Sequence, residues 1–286
     1  MVAELEREPA ASRWATRAAL FAFGLLVTAA FLHRVVGMAT PVAFNLVMVA
    51  LGIAVFSILA AMVAALIIWH TGRPGTARVL FAVTLSLALI ALPLVGIAWV
   101  REHPLVSDIT TDFGNPPRFS AVLRLRGPGS NSPVYDRARF EDEQQRAYSD
   151  IRPIRIDRSS EDVYAAAVDA VKRLKMTPER EEPPNLEAGT PGMIEAVDRS
   201  LIMGLYDDIA IRVAGNAETA RVDIRSAQRF ATGDMGRNAE RVRELIKEIH
   251  ARIDASVPTA RETKEEAPAA AKRERGSRSA SDRRRR

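Results

Sequence analysis

Three apolar runs, Ala18 to Leu32, Val35 to Trp69 and Val79 to Val100, fill the first hundred residues, and none contains a formal charge. A hydrocarbon core of about 30 Å needs roughly 20 helical residues at about 1.5 Å rise each. A helix is required because backbone N–H and C=O groups in lipid must be satisfied within the segment. The third run meets this length and predicts a helix over about 79–100. The second is longer than needed, and Pro41 is a natural first-turn residue. A helix over about 42–69 is therefore expected after a turn through Gly37 to Thr40. The first run is short, but Arg17 and Arg34 can snorkel to the two interfaces and extend it to about 15–36. Trp14, Trp69 and Trp99 fall near the expected ends, where an indole prefers to sit.

Residues 1–100 thus read as an N-terminal tail and three transmembrane helices. The rival for the first run is a cleaved signal peptide, against which stands a long polar lead containing Glu4, Glu6 and Glu8. Small residues recur at four-residue spacing in the second run, as Ala50 with Ala54, Ala60 with Ala64 and Ala61 with Ala65. That spacing lets helices approach closely, although alanine is also a plain helix filler. Arg7, Arg13, Arg17, Arg73 and Arg78 lie on one side of the expected membrane, and Arg34, Arg101 and Arg118 on the other. Positive charge therefore favours a cytoplasmic N-terminus and a C-terminal part on the far face, the periplasmic side of a bacterial inner membrane. The absence of cysteine fits an exported domain without disulfides and a cytoplasmic one equally.

The polar part divides in three. Residues 101–150 carry dense loop signals, Asn115-Pro116-Pro117 and then Gly127 to Pro133, so an extended strap is expected, with a short helix around Asp136 to Tyr148. Residues 151–254 have the pattern of a compact domain. Ile154 and Ile156 alternate with charged residues, and Ser159 to Asp162 resembles a capping box before the stripe Val163, Ala167, Val168, Val171, Leu174. Strands are expected near Met176 to Glu182, Met193 to Arg199, Leu201 to Val213 and Arg221 to Arg225, with a turn at Gly215-Asn216. A last amphipathic helix carries Val242, Leu245, Ile246, Ile249 and Ile253. This order predicts a small α+β domain, an antiparallel sheet with helices on one face. Residues 255–286 lose all periodicity and form an expected disordered tail. Its net charge of +5 equals that of the whole chain, so the rest is neutral and the high pI says nothing of a basic face on the domain.

No nucleophile elbow, phosphate loop, zinc-protease helix or dinucleotide fingerprint occurs, so no catalytic residue, cofactor or metal ligand is indicated. His33, His70, His103 and His250 are scattered. Polar chemistry concentrates instead on two expected strands. With period two, Asp208 and Arg212 share the face opposite Ile209 and Ile211, Asp223 and Arg225 share the face opposite Val222 and Ile224 on the next strand, and in an antiparallel hairpin the four would lie together. Arg229 and a glycine-containing turn, Asp234 to Asn238, follow. Such a group is either an anion-binding site of guanidinium forks held by carboxylates or a charge-paired sheet face.

The same residues carry a resemblance. Tyr206 to Val213, Val222 to Arg229 and Gly233 to Arg241, with Asp108 to Phe119 in the strap, resemble the domain of unknown function 1499 family. The resemblance implies a small soluble domain, often attached to membrane helices in bacteria, with no settled activity. Its recurrent positions fall here on Asp112, Pro116, Pro117, Asp207, Asp208, Arg212, Arg225, Ser226, Arg229, Asp234, Gly236 and Asn238, with Asn115 inside the strap motif. The chain departs from that form at Gln228, where the family form tends to have Ser, and at Ala231, near which the family form has Gly.

Two functions stay open. One is a membrane-anchored binding or accessory module for an anionic envelope ligand or a protein partner. The other is a hydrolase or transferase with Asp207 or Asp208 as base and Arg225 with Arg229 holding an anion. The expected partners are the bilayer and, for the basic tail, anionic surfaces. A nucleic-acid role lacks the stacking aromatics it would need.

Overall fold

The computed structural model describes residues 7–102, 104–200, 204–230, 232–233 and 235–256. Helix α1 (Ala10–Phe31) continues through a π-helical turn, Leu32–Val36, and is followed by α2 (Thr40–Thr71) and α3 (Thr76–Glu102). All three are long and apolar enough to cross a bilayer. Helices α1 and α3 begin before the apolar runs that announce them, because polar ends such as Arg13 and Thr76 are tolerated where headgroups begin. Gly37, at φ +83°, ends the π turn in a conformation that favours glycine, and Pro41 sits in the first turn of α2. Glu8 bonds Arg78 at 2.6 Å, which joins the N-terminal lead to the α2–α3 turn at one end of the bundle. The α1–α2 turn and the end of α3 are at the other.

The bundle is inside out by the standard of a water-soluble protein. Its buried positions are small, with Ala15, Ala19, Ala22 and Ala29 on α1 and Ala43, Ala50, Ala54, Ser57, Ala61 and Ala64 on α2. Phe21, Phe31, Met48, Phe56, Leu66 and Trp69 point outward. Lipid offers no penalty for that surface, and small residues give the close backbone approach that drives helix association there. The Ser57 hydroxyl donates to the Ala15 carbonyl at 2.8 Å across the α1–α2 contact. Four-residue spacing was only part of the code. The α2 seam alternates fours and threes, and Ala65 faces outward.

The domain is built on one antiparallel sheet of β1 (Asp108–Thr110), β2 (Ile154–Ile156), β3 (Thr177–Glu182), β4 (Gly192–Arg199), β5 (Tyr206–Gly215) and β6 (Ala220–Gln228). The order is β1-β6-β5-β4-β3, and β2 also pairs with β6. The two short strands share one edge, β1 beside Arg225 to Ala227 and β2 beside Ala220 to Val222. The β5–β6 turn is closed by the Asn216 side chain, which accepts from the N–H groups of Glu218 and Thr219 at 2.8 Å each. Gly215 is required there because a Cβ would lie 2.1 Å from the Thr219 carbonyl oxygen.

Helices α5 (Ser160–Arg173) and α6 (Arg237–Ser256) cover one face. Ser159 caps α5 by accepting from the Asp162 N–H at 3.1 Å. Val163, Val171, Leu245 and Ile249 pack there on Ile194, Ile209, Ile211 and Ile224. Each such buried side chain stabilises by roughly 1.5–3 kcal/mol. The strap covers the opposite face. It leaves β1, crosses the sheet with a short 3₁₀ turn at Ala121–Leu125, and sets Phe119 and Val122 on Val197, Ala210 and Ala227. Helix α4 (Arg137–Ala147) then returns beside β1, where the Gln144 side chain pairs with both backbone groups of Thr110.

Candidate functional site

The β5–β6 register places Arg212 opposite Asp223, Ala210 opposite Arg225 and Asp208 opposite Ala227. Asp208, Arg212, Asp223 and Arg225 therefore lie on one face, the face beneath the strap. Asp207 and Ser226 point the other way, towards α6. The nine clustered candidates thus divide between two buried layers, apart from Asp234, which lies outside the described residues, as do the side chain of Trp99 and the tail beyond Ser256.

Under the strap, carboxylates and arginines are paired, with Arg126 Nη2 left buried and unpartnered. Asp208 is fully buried and accepts from Arg229 at 2.6 Å and from Arg126 of the strap at 2.7 Å. Arg229 also donates to the Leu125 carbonyl at 3.0 Å. Arg225 forks onto Asp108 at 2.9 and 2.6 Å and donates to the carbonyls of Pro117 and Pro133. Its guanidinium lies 4.4 Å from the Phe119 ring centre and 5.6 Å from that of Tyr135. Farther along, Arg212 and Arg221 both bond Asp223, at 2.7 and 2.9 Å, and both reach Asp112. The other Asp112 oxygen accepts from the N–H groups of Gly114 and Asn115 at 3.0 Å each, which forms the turn leading into Pro116 and Pro117.

On the helix side, Arg241 bonds Asp207 and Asp198, each at 2.7 Å. Ser226 donates to Asn238 at 2.8 Å, and the Asn238 amide donates to the Ser107 carbonyl at 3.1 Å. Burial pushes the Asp207 carboxyl up, and the nearby Arg241 and Arg237 offset this only in part. The same balance holds at Asp108, where burial outweighs the pull of Arg225.

Several participants escape a reading by strand pattern. Asp108, Arg126 and Glu195 are spread over strap and sheet, and only folding joins them. The fully buried Glu195 accepts from the Ser120 N–H at 2.8 Å and from the Val122 N–H at 3.2 Å, as well as from the Ser120 hydroxyl. Burial raises its carboxyl, but those hydrogen bonds prevail and hold it below the usual value of 4.5. Arg241 did leave a trace, since Asn238, Arg241 and Leu245 are spaced three and four apart on the buried side of α6.

This arrangement can do one thing well. Among the described residues, each carboxylate of the candidate cluster is bonded to an arginine, and most of those arginines also bind strap carbonyls or a second acid. Buried pairs return little net stability after desolvation, yet they penalise any packing that separates them. The result fixes the strap in one position on the sheet. Among the described residues, no three His, Cys, Asp or Glu side chains converge so as to hold a metal ion.

Residues 108–249, from the first residue of β1 into α6, match the family described as Protein of unknown function (DUF1499). The strapped sheet is a DUF1499 domain. A comparison with curated proteins finds no match. Strap, sheet and both ion-pair layers of the DUF1499 domain all fall within the matched range, and the three apolar helices precede it.

Proposed function

We propose that this chain is a multi-pass protein of a bacterial inner membrane whose DUF1499 domain stands in the periplasm as a non-enzymatic binding or accessory module of the cell envelope. The observation that carries this reading is the closure of the Asp/Arg cluster: Asp208, Arg225 and Arg229 are buried and bonded to each other's neighbours or to the strap. A base or an anion clamp must offer free lone pairs or N–H groups to a substrate. Here those groups hold the strap. Of the two candidate bases of the enzyme reading, Asp207 lies on the face opposite Arg225, and Asp208, on the same face, is taken up by Arg229 and Arg126. Its ligand, on the favoured reading, is an anionic envelope molecule or a protein that meets the domain's outer surface.

The periplasmic side is supported by the excess of arginine at the N-terminal end of the bundle and by the domain's contacts with the other end. Arg34, in the α1–α2 turn, donates to the Ser200 carbonyl at 2.9 Å, and Arg199 donates to the Arg34 carbonyl at 2.6 Å. Alkaline phosphatase and fluorescent-protein fusions after residue 254 test the side directly. Phosphatase activity without fluorescence is expected, and the reverse pattern overturns the periplasmic assignment.

A further inference from the structure

We propose that a cavity at the membrane-facing end of the domain, between the start of α4 and the ends of β1 and β6, binds the head of a hydroxyl-bearing anionic lipid. The proposal rests on the membrane seating of the domain and is independent of which leaflet it faces. The cavity has a volume of about 410 Å³ and is lined by Ser107, Tyr135, Arg139, Gln228 and Thr232, among others. Pockets of this size hold small polar ligands.

Two of its lining residues, Tyr135 and Gln228, each carry a buried side-chain oxygen, the phenol and Oε1, that has no hydrogen-bond partner in the protein. A buried polar group without a partner costs about 1–3 kcal/mol, so two in one cavity mark a place where something else completes them. Their chemistry defines that partner. Gln228 Oε1 only accepts, and so asks for a ligand O–H or N–H. The Tyr135 phenol is pushed up by burial and by Asp108 and Glu141, so it keeps its proton and donates to a ligand oxygen. An alcohol supplies both functions. At the rim Arg139 is exposed and has no carboxylate partner among the described residues, whereas the neighbouring Arg137 is forked onto Glu141. A guanidinium with no carboxylate partner, 5.0 Å from the Phe140 ring centre and beside a hydroxyl-binding pair, suits a phosphate ester that carries an alcohol.

Position supplies the source of the ligand. Ser107 follows Glu102, the last residue of α3, by five residues, which at about 3.3–3.6 Å each keeps it within roughly 18 Å of the helix end. On the other side the strap runs close to the bundle, where a Cβ added at Gly129 would sit 3.7 Å from Pro41 in the first turn of α2. Both tethers put the cavity at the level of lipid headgroups.

The test uses the full chain in vesicles with equal parts of phosphatidylglycerol, phosphatidic acid and phosphatidylethanolamine, followed by mild extraction and mass spectrometry of retained lipid. The wild type is expected to keep phosphatidylglycerol about tenfold over the other two, a difference of about 1.4 kcal/mol. Tyr135→Phe keeps the ring over Arg225 and Gln228→Leu keeps the volume, and each is expected to abolish the preference. Their melting temperatures should be no lower than the wild type's, since each removes an unpartnered buried atom. Equal retention in all three proteins, or equal retention of phosphatidic acid and phosphatidylglycerol, overturns the proposal. Binding of free glycerol phosphate as tight as that of the lipid would overturn the lipid assignment. A cytoplasmic result in the fusion experiment would remove the periplasmic reading alone and leave this one standing.

Discussion

Arg225 is the largest fully buried side chain described in the protein, and four of its N–H bonds end on Asp108, Pro117 and Pro133. A guanidinium so enclosed is stabilising only as long as its partner stays. Arg225→Met strands the Asp108 carboxylate, and the expected cost is about 3–5 kcal/mol in a denaturant melt followed by near-ultraviolet circular dichroism of the tyrosines. The double variant Arg225→Met with Asp108→Leu should regain most of that loss, because an apolar pair of similar volume replaces a desolvated ionic one. A double variant as weak as the single would mean that the pair is not the brace. Glu195 carries a pH dependence of definite sign. Its folded pKa lies below the usual 4.5, so the stability it contributes is complete above that value and is lost as pH falls through the lower folded one. Asp108 and Asp207, raised by burial, work in the opposite direction: their contribution is fullest below the usual 3.8 and declines as pH rises through their folded values. The comparison of wild type with Glu195→Gln isolates the first effect. The difference should be about 1.5–3 kcal/mol at neutral pH and should shrink below pH 4.5. A difference independent of pH would remove the ionised carboxylate from the account.

At the level of elements, periodic segments were readable and contacts between segments were not. The stripes Val163–Val171 on α5 and Val242–Ile253 on α6, the alternation in β5 and β6 and the cap at Ser159 all follow from local pattern, and the observed elements carry them. The face shared by Asp208, Arg212, Asp223 and Arg225 was legible too, since period two and an antiparallel turn determine it. The cover over that face was not. Proline and glycine from Asn115 to Pro133 indicate irregular backbone, but nothing local says that Phe119 and Val122 descend onto Ala210 and Ala227. Strand β1 was missed because three residues are too few to display a period. The small side chains of β5 and β6 were the available hint, for alanine in the middle of a sheet leaves room for a second layer. In the bundle, small side chains likewise mark a close approach. Ala61 packs with Ala15, Ala19 and Ala82, whereas Leu59 faces outward. Ala61→Leu should therefore separate α2 from its neighbours at a cost of about 1–3 kcal/mol. Leu59→Ala should change nothing measurable in the same detergent melt. Equal behaviour of the two variants would deny the small-residue seam its role.

For the whole molecule, the question is how a near-neutral domain is held against its own anchor. The contact is specific and small. Arg199 at the end of β4 donates to the carbonyls of His33 and Arg34 at the end of α1, and its guanidinium lies 4.9 Å from the Tyr206 ring centre. Arg34 answers with a bond to Ser200. The carbonyls of His33 and Arg34 lie in the π turn that ends the first helix, where the last carbonyls have no intrahelical N–H to accept from. Orientation of the domain therefore depends on two arginines, while its folding depends on the core and the strap. Arg199→Met should separate these properties. The chain contains no cysteine, so Val35→Cys with Glu187→Cys gives a clean pair of spin-label sites, one on the α1–α2 turn and one on the turn before β4. In the otherwise native protein their distance distribution should be narrow. With Arg199→Met it should broaden severalfold while domain stability falls by only about 1 kcal/mol, the worth of a few partly exposed hydrogen bonds. A distribution that stays narrow would show that the α3 linker and the close approach of the strap to α2 at Gly129 suffice to seat the domain, and the arginine exchange would lose its orienting role.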